Sequence, residues 1–153
     1  MIFLQEATET DLPLMMAWRS NPLIYEGFYT QTKSLTWEEH IKWWESRYNW
    51  KSFIVCLLLN NRIRKIGVVT LGQLDHWNPE IGFYIGEVSL WGQGYGKEAV
   101  ALGVEWLKEH GYTATHTTVK KDNKGSLKLL QSLGFEITNE AREGEVWLHC
   151  KIK

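Results

Sequence analysis

A chain of 153 residues with 44% hydrophobic and 23% charged residues has an ordinary globular composition, long enough to bury a full core as a single domain over 1–153. A net charge of −1 offers no basic excess to pair with a phosphate backbone, so no nucleic-acid partner is expected. No apolar run approaches the ~20 residues of a membrane span, and Met1–Glu6 lacks the features of a signal peptide. The expectation is a cytoplasmic protein without a membrane partner. There Cys56 and Cys150, both in apolar strand-like runs, read as buried hydrophobes and not as a disulfide. No His, Cys, Asp or Glu cluster has metal-ligand spacing, so no metal is expected.

Residues 2–7 alternate weakly and predict a first strand. Thr10-Asp11-Leu12-Pro13 reads as a helix start, with threonine as the cap and proline in the first turn. Leu12, Met15, Met16 and Arg19 follow at helical spacing, and Asn21-Pro22 stops the helix. Residues 23–31 read as an aromatic-rich loop whose side chains either tuck beneath it or line a site. Thr36-Trp37-Glu38-Glu39 has the spacing of a capping box, and Ile41, Trp44 and Tyr48 supply the apolar stripe of the helix it opens. Trp37, Trp43, Trp44 and Trp50 crowd this region; core packing is the first expectation and a pocket wall the alternative.

Residues 52–59 form a continuous apolar run, as in a buried strand. Asn60-Asn61-Arg62 then reads as a tight turn into a strand at 63–71, and 79–85 reads as a further strand. The helix after the glycine-rich stretch at 92–96 places Ala99, Leu102, Gly103, Trp106 and Leu107 on one face and stops at Gly111. A β-branched strand at 114–119 precedes a helix capped by Asn123, with Leu127, Leu130 and Leu133 inward and Gly134 at its end. Strands at 135–138 and 145–152 finish the chain, with no internal repeat or linker.

The stretch Trp91-Gly92-Gln93-Gly94-Tyr95-Gly96-Lys97-Glu98-Ala99 organises the rest. Alternate glycines let a ligand approach the backbone, and they lead into a helix whose first N–H groups and positive dipole end favour an anion. Phosphate is the usual occupant of such a site. A Walker loop would need Ser or Thr after Gly96-Lys97, where Glu98 stands. A Rossmann fingerprint would need a different glycine spacing at the start of a βαβ unit.

This loop resembles the coenzyme-A loop of the GNAT superfamily of N-acetyltransferases. A second block, Asn123-Lys124-Gly125-Ser126 followed by Leu133-Gly134-Phe135, is similar to that family's Asn-x-x-Ser/Ala…Gly-Phe segment. Trp91 and the opening Glu6-Ala7-Thr8 with Asp11-Leu12 resemble the branch that includes ribosomal-protein N-terminal acetyltransferases. Trp18-Arg19-Ser20-Asn21-Pro22, with His40, resembles the branch that acetylates amino groups on nucleotide-linked sugars, although His40 by itself reads as a structural or helix-surface residue. The resemblance implies a mixed α/β (α+β) GNAT fold: a mostly antiparallel central sheet of about seven strands with helices on both faces.

It also implies acetyl-CoA as co-substrate and direct attack by an amine on the thioester. The acceptor is expected to be a protein α-amine or a small-molecule amine such as an amino sugar. A non-catalytic coenzyme-A-binding module is the alternative of another class, and a monomer or homodimer is expected. An alkyl amine of pKa ~10 is only about one part in a thousand neutral at pH 7, so a base must take its proton. The resemblance makes Glu80 the candidate, since it lies on the strand leading to the loop, where members of that family often carry a catalytic carboxylate; alternation places Glu80, Gly82 and Tyr84 on one face. Asp75, His76 and Glu26 are lesser candidates. The family's tyrosine acid falls at Leu130, which has no proton to give, leaving Ser126 or water to protonate the thiolate. By position, the backbone of Gly92, Gln93, Gly94, Tyr95, Gly96 and Lys97 is expected at the pyrophosphate, with Trp91 at the loop's head. Ile85 is expected along the pantetheine arm. Asn123 is a further cofactor contact or an ordinary helix cap, and Lys97 adds charge at the phosphates or is simply exposed. Tyr25, Phe28, Tyr29 and Tyr84 are the expected acceptor-side aromatics.

Overall fold

Asn60 and Asn61 both take left-handed φ angles of 52° and 60°, the pair that a two-residue hairpin turn requires. They join β2 (Lys51–Leu59) to β3 (Arg62–Gly72), with Leu59 opposite Arg62. The architecture comes from a computed structural model describing residues 1–28 and 31–153, with the side chains at 140 and 141 excepted. β1 (Ile2–Glu6) pairs with β2, and β4 (Glu80–Ile85) with β3, both antiparallel. β5 (Ala114–Lys120), β6 (Glu136–Arg142) and β7 (Glu145–Lys151) complete a seven-stranded sheet of order β1-β2-β3-β4-β5-β7-β6. Every pairing is antiparallel except β4 with β5, which register at Glu80–His116.

Helix α4 (Tyr95–Glu109) crosses one face and buries Ala99, Val100, Gly103 and Leu107. The helix lies close to the sheet at Gly103, where a Cβ would sit 2.9 Å from Ile81 Cδ1 and 3.0 Å from Val69 Cγ1. Helix α5 (Lys124–Ser132) places Leu130 in the same core. On the opposite face Met15 and Trp18 of α1 (Leu12–Arg19) cover Ile54, Cys56 and Val68. Helices on both faces of a mostly antiparallel sheet are what the sequence led us to expect. The stops at Gly111 and Gly134 have φ of 87° and 91°. Cys56 and Cys150 are free and buried, and burial pushes both thiols up. No helix among the described residues is long and apolar enough to cross a membrane.

Three local expectations need correction. The cap before α1 lies at Thr8, not Thr10: Thr8 N–H donates to Asp11 Oδ2 at 2.9 Å, closing a 3-10 turn at Glu9–Asp11, while the Thr10 hydroxyl bonds only the Thr8 hydroxyl. Residues 23–31 are not loop throughout. The Asn21 side chain accepts from Leu23 N–H at 3.0 Å, so Asn-Pro starts a one-turn helix α2 (Pro22–Tyr25) as well as ending α1. α3 (Trp37–Glu45) keeps its Thr36–Glu39 capping box, but it ends before Tyr48, which is 90% exposed. Its buried residue is His40, whose Nε2 lies 3.1 Å from the Leu12 carbonyl and whose ring stacks on Trp43. His40 is therefore a structural residue.

Lys65 of β3 reaches across to the buried Asp11 at 2.5 Å. Burial alone would raise the Asp11 carboxyl, but the Lys65 ammonium and the Thr8 N–H outweigh it and hold the group below its ordinary range. The ionised form therefore stabilises the fold above the ordinary carboxylate range, and that contribution disappears as pH falls through the lowered folded value. Asp11→Asn is expected to cost about 1–3 kcal/mol at pH 7. Urea unfolding at a series of pH values should show the gap to wild type narrowing below about pH 4.

Candidate active site

The parallel pair β4–β5 begins beside Pro79, whose carbonyl accepts from His116 N–H at 3.0 Å and from the Thr115 hydroxyl at 2.8 Å. Beyond Glu80–His116 the two strands carry no further registered pair among the described residues. Antiparallel ladders alternate the direction in which residues turn their N–H and C=O. Gly86 N–H bonds Ile66 O on β3, so the groups of Ile85, one residue earlier, turn to the other edge. That edge faces the gap between β4 and β5. The Ile85 carbonyl accepts from the Trp91 indole N–H at 2.8 Å, which fastens the head of the glycine loop to the end of β4.

The loop then enters α4. Gly92 and Gly94 have φ of 79° and 86°, a left-handed backbone that side-chain-bearing residues adopt only at a cost. A Cβ at either would meet nothing within 4 Å, so open space lies over both. Gly94 is the N-cap of α4 and has no side chain to satisfy the first turn. Glu98 N–H bonds Gly94 O, which leaves the N–H groups of Tyr95, Gly96 and Lys97 ahead of the helical ladder. Gly96 has a different role: a Cβ there would approach Leu129 Cδ1 at 3.2 Å, so the helix start is packed tightly against α5.

A cleft of about 640 Å³ lies along this edge. It brings together Ile85, Trp91, Gly92, Gly94, Tyr95 and Gly96 from the β4 end and the loop. Asn123 and Ser126 of the α5 turn face them, and Phe28 and Tyr84 close one side. Gln93 and Lys97 are exposed and do not line it; the Gln93 amide contacts Ser89 O at 3.5 Å. Tyr25, half-buried on α2, is also outside the lining, and Tyr29 lies outside the described residues. Asn123 acts as the helix cap, accepting from Ser126 N–H at 3.3 Å, while also lining the cleft. Leu130 is fully buried, so α5 turns that position into the core and not toward the cleft. Glu26, Asp122 and Leu129 also line it, and no motif in the sequence singled them out as a group.

The face of β4 opposite α4 carries Glu80, Gly82 and Tyr84, as alternation requires. Tyr84 packs between Trp18 (6.1 Å, edge-on) and Phe28 (5.2 Å), and its hydroxyl is buried without a hydrogen-bond partner. Burial pushes this phenol far up and the nearby Arg19 only partly offsets that, so Tyr84 stays protonated. Glu80 does not line the cleft: at the rung where β4 and β5 register, its carboxylate lies 3.9 Å from His116 Nε2, with side chains 14% and 10% exposed. Sequence reasoning missed His116, because pairing across a parallel crossover leaves no local signal.

Residues 2–136 match the family model described as "Acetyltransferase (GNAT) domain". This chain belongs to the GNAT acetyltransferase family. It is 49% identical over 148 residues to an uncharacterized protein of Methanocaldococcus jannaschii, covering 97% of this chain and 30% of that protein. The chain thus spans less than a third of that relative's length. The crystal structure of a domain from the same organism superposes with a TM-score of 0.95 at 47% identity, covering 99% of this chain and 98% of that one. A spermidine N-acetyltransferase from Vibrio cholerae, solved with CoA and spermine, has the same fold at 14% identity (TM-score 0.85, 99% and 95% covered). The seven-stranded mixed α/β architecture is therefore the GNAT fold.

The residues present in this GNAT domain fit coenzyme A. Unladdered N–H groups at the start of α4 and the open left-handed glycines suit a pyrophosphate, and the outward-turned edge of β4 suits an amide-bearing arm. Gly94→Val would force a β-branched residue into the left-handed region and fill the open space above it. Coenzyme-A affinity by calorimetry should fall at least about tenfold, or ~1.4 kcal/mol. Far-UV circular dichroism should stay near that of wild type.

Proposed function

We propose that this domain moves the acetyl group of acetyl-CoA onto a primary amine by direct attack, with Glu80 as the base. The observation that carries this is the joining of the glycine loop to the open edge of β4, in a chain of the acetyltransferase family. A thioester needs little activation beyond placement, so the protein's tasks are to hold the two reactants and to move two protons.

Gly92, Gly94, Tyr95 and Gly96 hold the phosphates, and the edge of β4 from Phe83 to Ile85 aligns the arm. Gly82 leaves the acceptor face bare between Glu80 and Tyr84, where the amine approaches; a Cβ there would crowd Thr70 Oγ1 at 2.7 Å. Glu80 takes one proton from the ammonium, the freed lone pair then forms the C–N bond as the C–S bond breaks, and the nitrogen gives its second proton to water as the amide forms. The departing thiolate is a tolerable leaving group, its conjugate acid having a pKa near ~8.5. The Ser126 hydroxyl, on the cleft wall, relays the second proton to it from water.

For the acceptor, the aromatic side wall of Phe28 and Tyr84 favours a small-molecule amine with a flat or sugar-like body over a peptide α-amine. The spermine held by the Vibrio cholerae enzyme makes a polyamine a third acceptor class to test. Thiol release from acetyl-CoA, measured with spermine, glucosamine and a peptide bearing a free N-terminus, ranks the three. Binding of CoA without thiol release to any amine would favour a non-catalytic coenzyme-A-binding module. Glu80→Gln is expected to lower kcat by about 10²–10⁴ while leaving CoA affinity within twofold. Wild-type turnover in that variant would remove Glu80 as the base.

A further inference from the structure

Glu80 and His116 stand side by side because they are the residues at which β4 and β5 register, and both side chains leave the sheet on the face opposite α4. Ile81 faces Gly103 of α4, which fixes the direction of its neighbour Glu80. On β5, Thr117 and Val119 lie opposite Leu148 and Val146, and Val119, Leu148 and Val146 belong to the α4-side core, so His116 points the other way. The pair lies at the closed end of the gap, where the strands cease to be joined.

The His116 ring is placed unlike those of two other histidines. His40 and His110 each rest a ring nitrogen on a backbone carbonyl, at 3.1 and 2.7 Å. His116 has no such tether. Its Nε2 faces the Glu80 carboxylate at 3.9 Å, and its Nδ1 is buried with no hydrogen-bond partner. Trp147 of β7 packs against the ring at 5.2 Å and holds it toward Glu80. The other titratable group facing it is His149, its register partner on β7; Lys120, further along β5, is engaged with the Glu26 carbonyl at 2.6 Å.

We propose that His116 is the second member of the proton-accepting unit of this site, standing behind Glu80 as a positioning residue and proton store. The inference rests on Glu80 being the base of the proposed acetyl transfer. An alkyl ammonium holds its proton near pKa ~10 and ordinary carboxylates near ~4, so a lone carboxylate is a shallow sink; a generic imidazole near ~6.5 narrows that gap by more than two units. The proton passes from the ammonium to a Glu80 oxygen. The resulting carboxyl O–H then gives it to His116 Nε2, restoring the carboxylate and leaving an imidazolium beside it. One N–H bond breaks and one forms, and total charge is conserved. The 3.9 Å separation closes by about 1 Å to a hydrogen bond, a tightening common between free and substrate-bound sites.

His116→Gln tests this. A glutamine keeps a polar group facing Glu80 but cannot store a proton. With spermine, glucosamine and a free-N-terminus peptide as acceptors, kcat should fall about 10- to 100-fold, while the KM values for amine and acetyl-CoA stay within twofold. Two groups acting as one unit are not additive. The double variant His116→Gln/Glu80→Gln should therefore be no slower than Glu80→Gln alone. CoA affinity and thermal stability of each variant, compared with wild type, report folding. Wild-type kcat in His116→Gln, or a double variant slowed by the product of the single effects, overturns the role of His116 and leaves the acetyl-transfer reading intact. No acetyl transfer by the wild-type domain to any of these amines overturns both. If His116→Gln is unstable, His116→Asn takes its place under the same criteria.

Discussion

Strands β4 and β5 run parallel, and among the described residues they register at the single pair Glu80–His116. A parallel pair with the same twist would ordinarily continue for several residues. Here it stops after its first rung, so the backbone groups of Phe83 and Ile85 turn into a gap instead of a ladder, while those of Tyr84 turn to β3. Polar backbone cannot stay buried without partners. The gap is therefore solvent-accessible by necessity, and it is ready for a ligand that itself carries amides. The indole of Trp91 takes one of these groups, the Ile85 carbonyl, and in doing so anchors the glycine loop at the mouth.

The two ends of the gap differ in chemistry for the same topological reason. At the open end the chain must turn from β4 into α4, and that turn presents left-handed glycines and unladdered N–H groups, which suit negative charge. At the closed end the registered pair brings two titratable side chains together on the face opposite α4. The end that suits an anion and the end that holds the paired carboxylate and imidazole are thus separated by the length of a short strand. α4 and α1 hold the strand from opposite faces. At Gly103 a Cβ would press on Ile81, and at Gly86, just past the strand, a Cβ would run into the Trp18 ring. β4 is thus clamped on both faces while one of its edges stays open.

Much of the fold was legible because its signals are local. The Asn60-Asn61 turn, the Thr36–Glu39 box, the Asn123 cap and the glycine stops each act over a few residues, and each appears where expected. The misreadings were also local, and they came from competing signals. Thr8 out-competed Thr10 because Asp11 could complete a box with it, and Asn21-Pro22 served as a start where only a stop was seen. His40, read from the sequence as structural or helix-surface, is structural: a carbonyl of α1 and the ring of Trp43 hold it fully buried.

By itself the sequence determined most of the elements, the glycine-rich loop into α4 and the face on which Glu80 and Tyr84 stand, since alternation along a strand and capping at a helix end are written in neighbouring residues. Only the tertiary structure decided what those pieces meet. It excluded Lys97 and Gln93 from the cleft wall and turned Leu130 into the core. It also set Phe28 against Tyr84 and brought His116 to Glu80. The physical reason is separation along the chain. Twenty-eight residues and a whole helix lie between β4 and β5, and no local preference encodes the rung at which two strands that far apart come into register and then part.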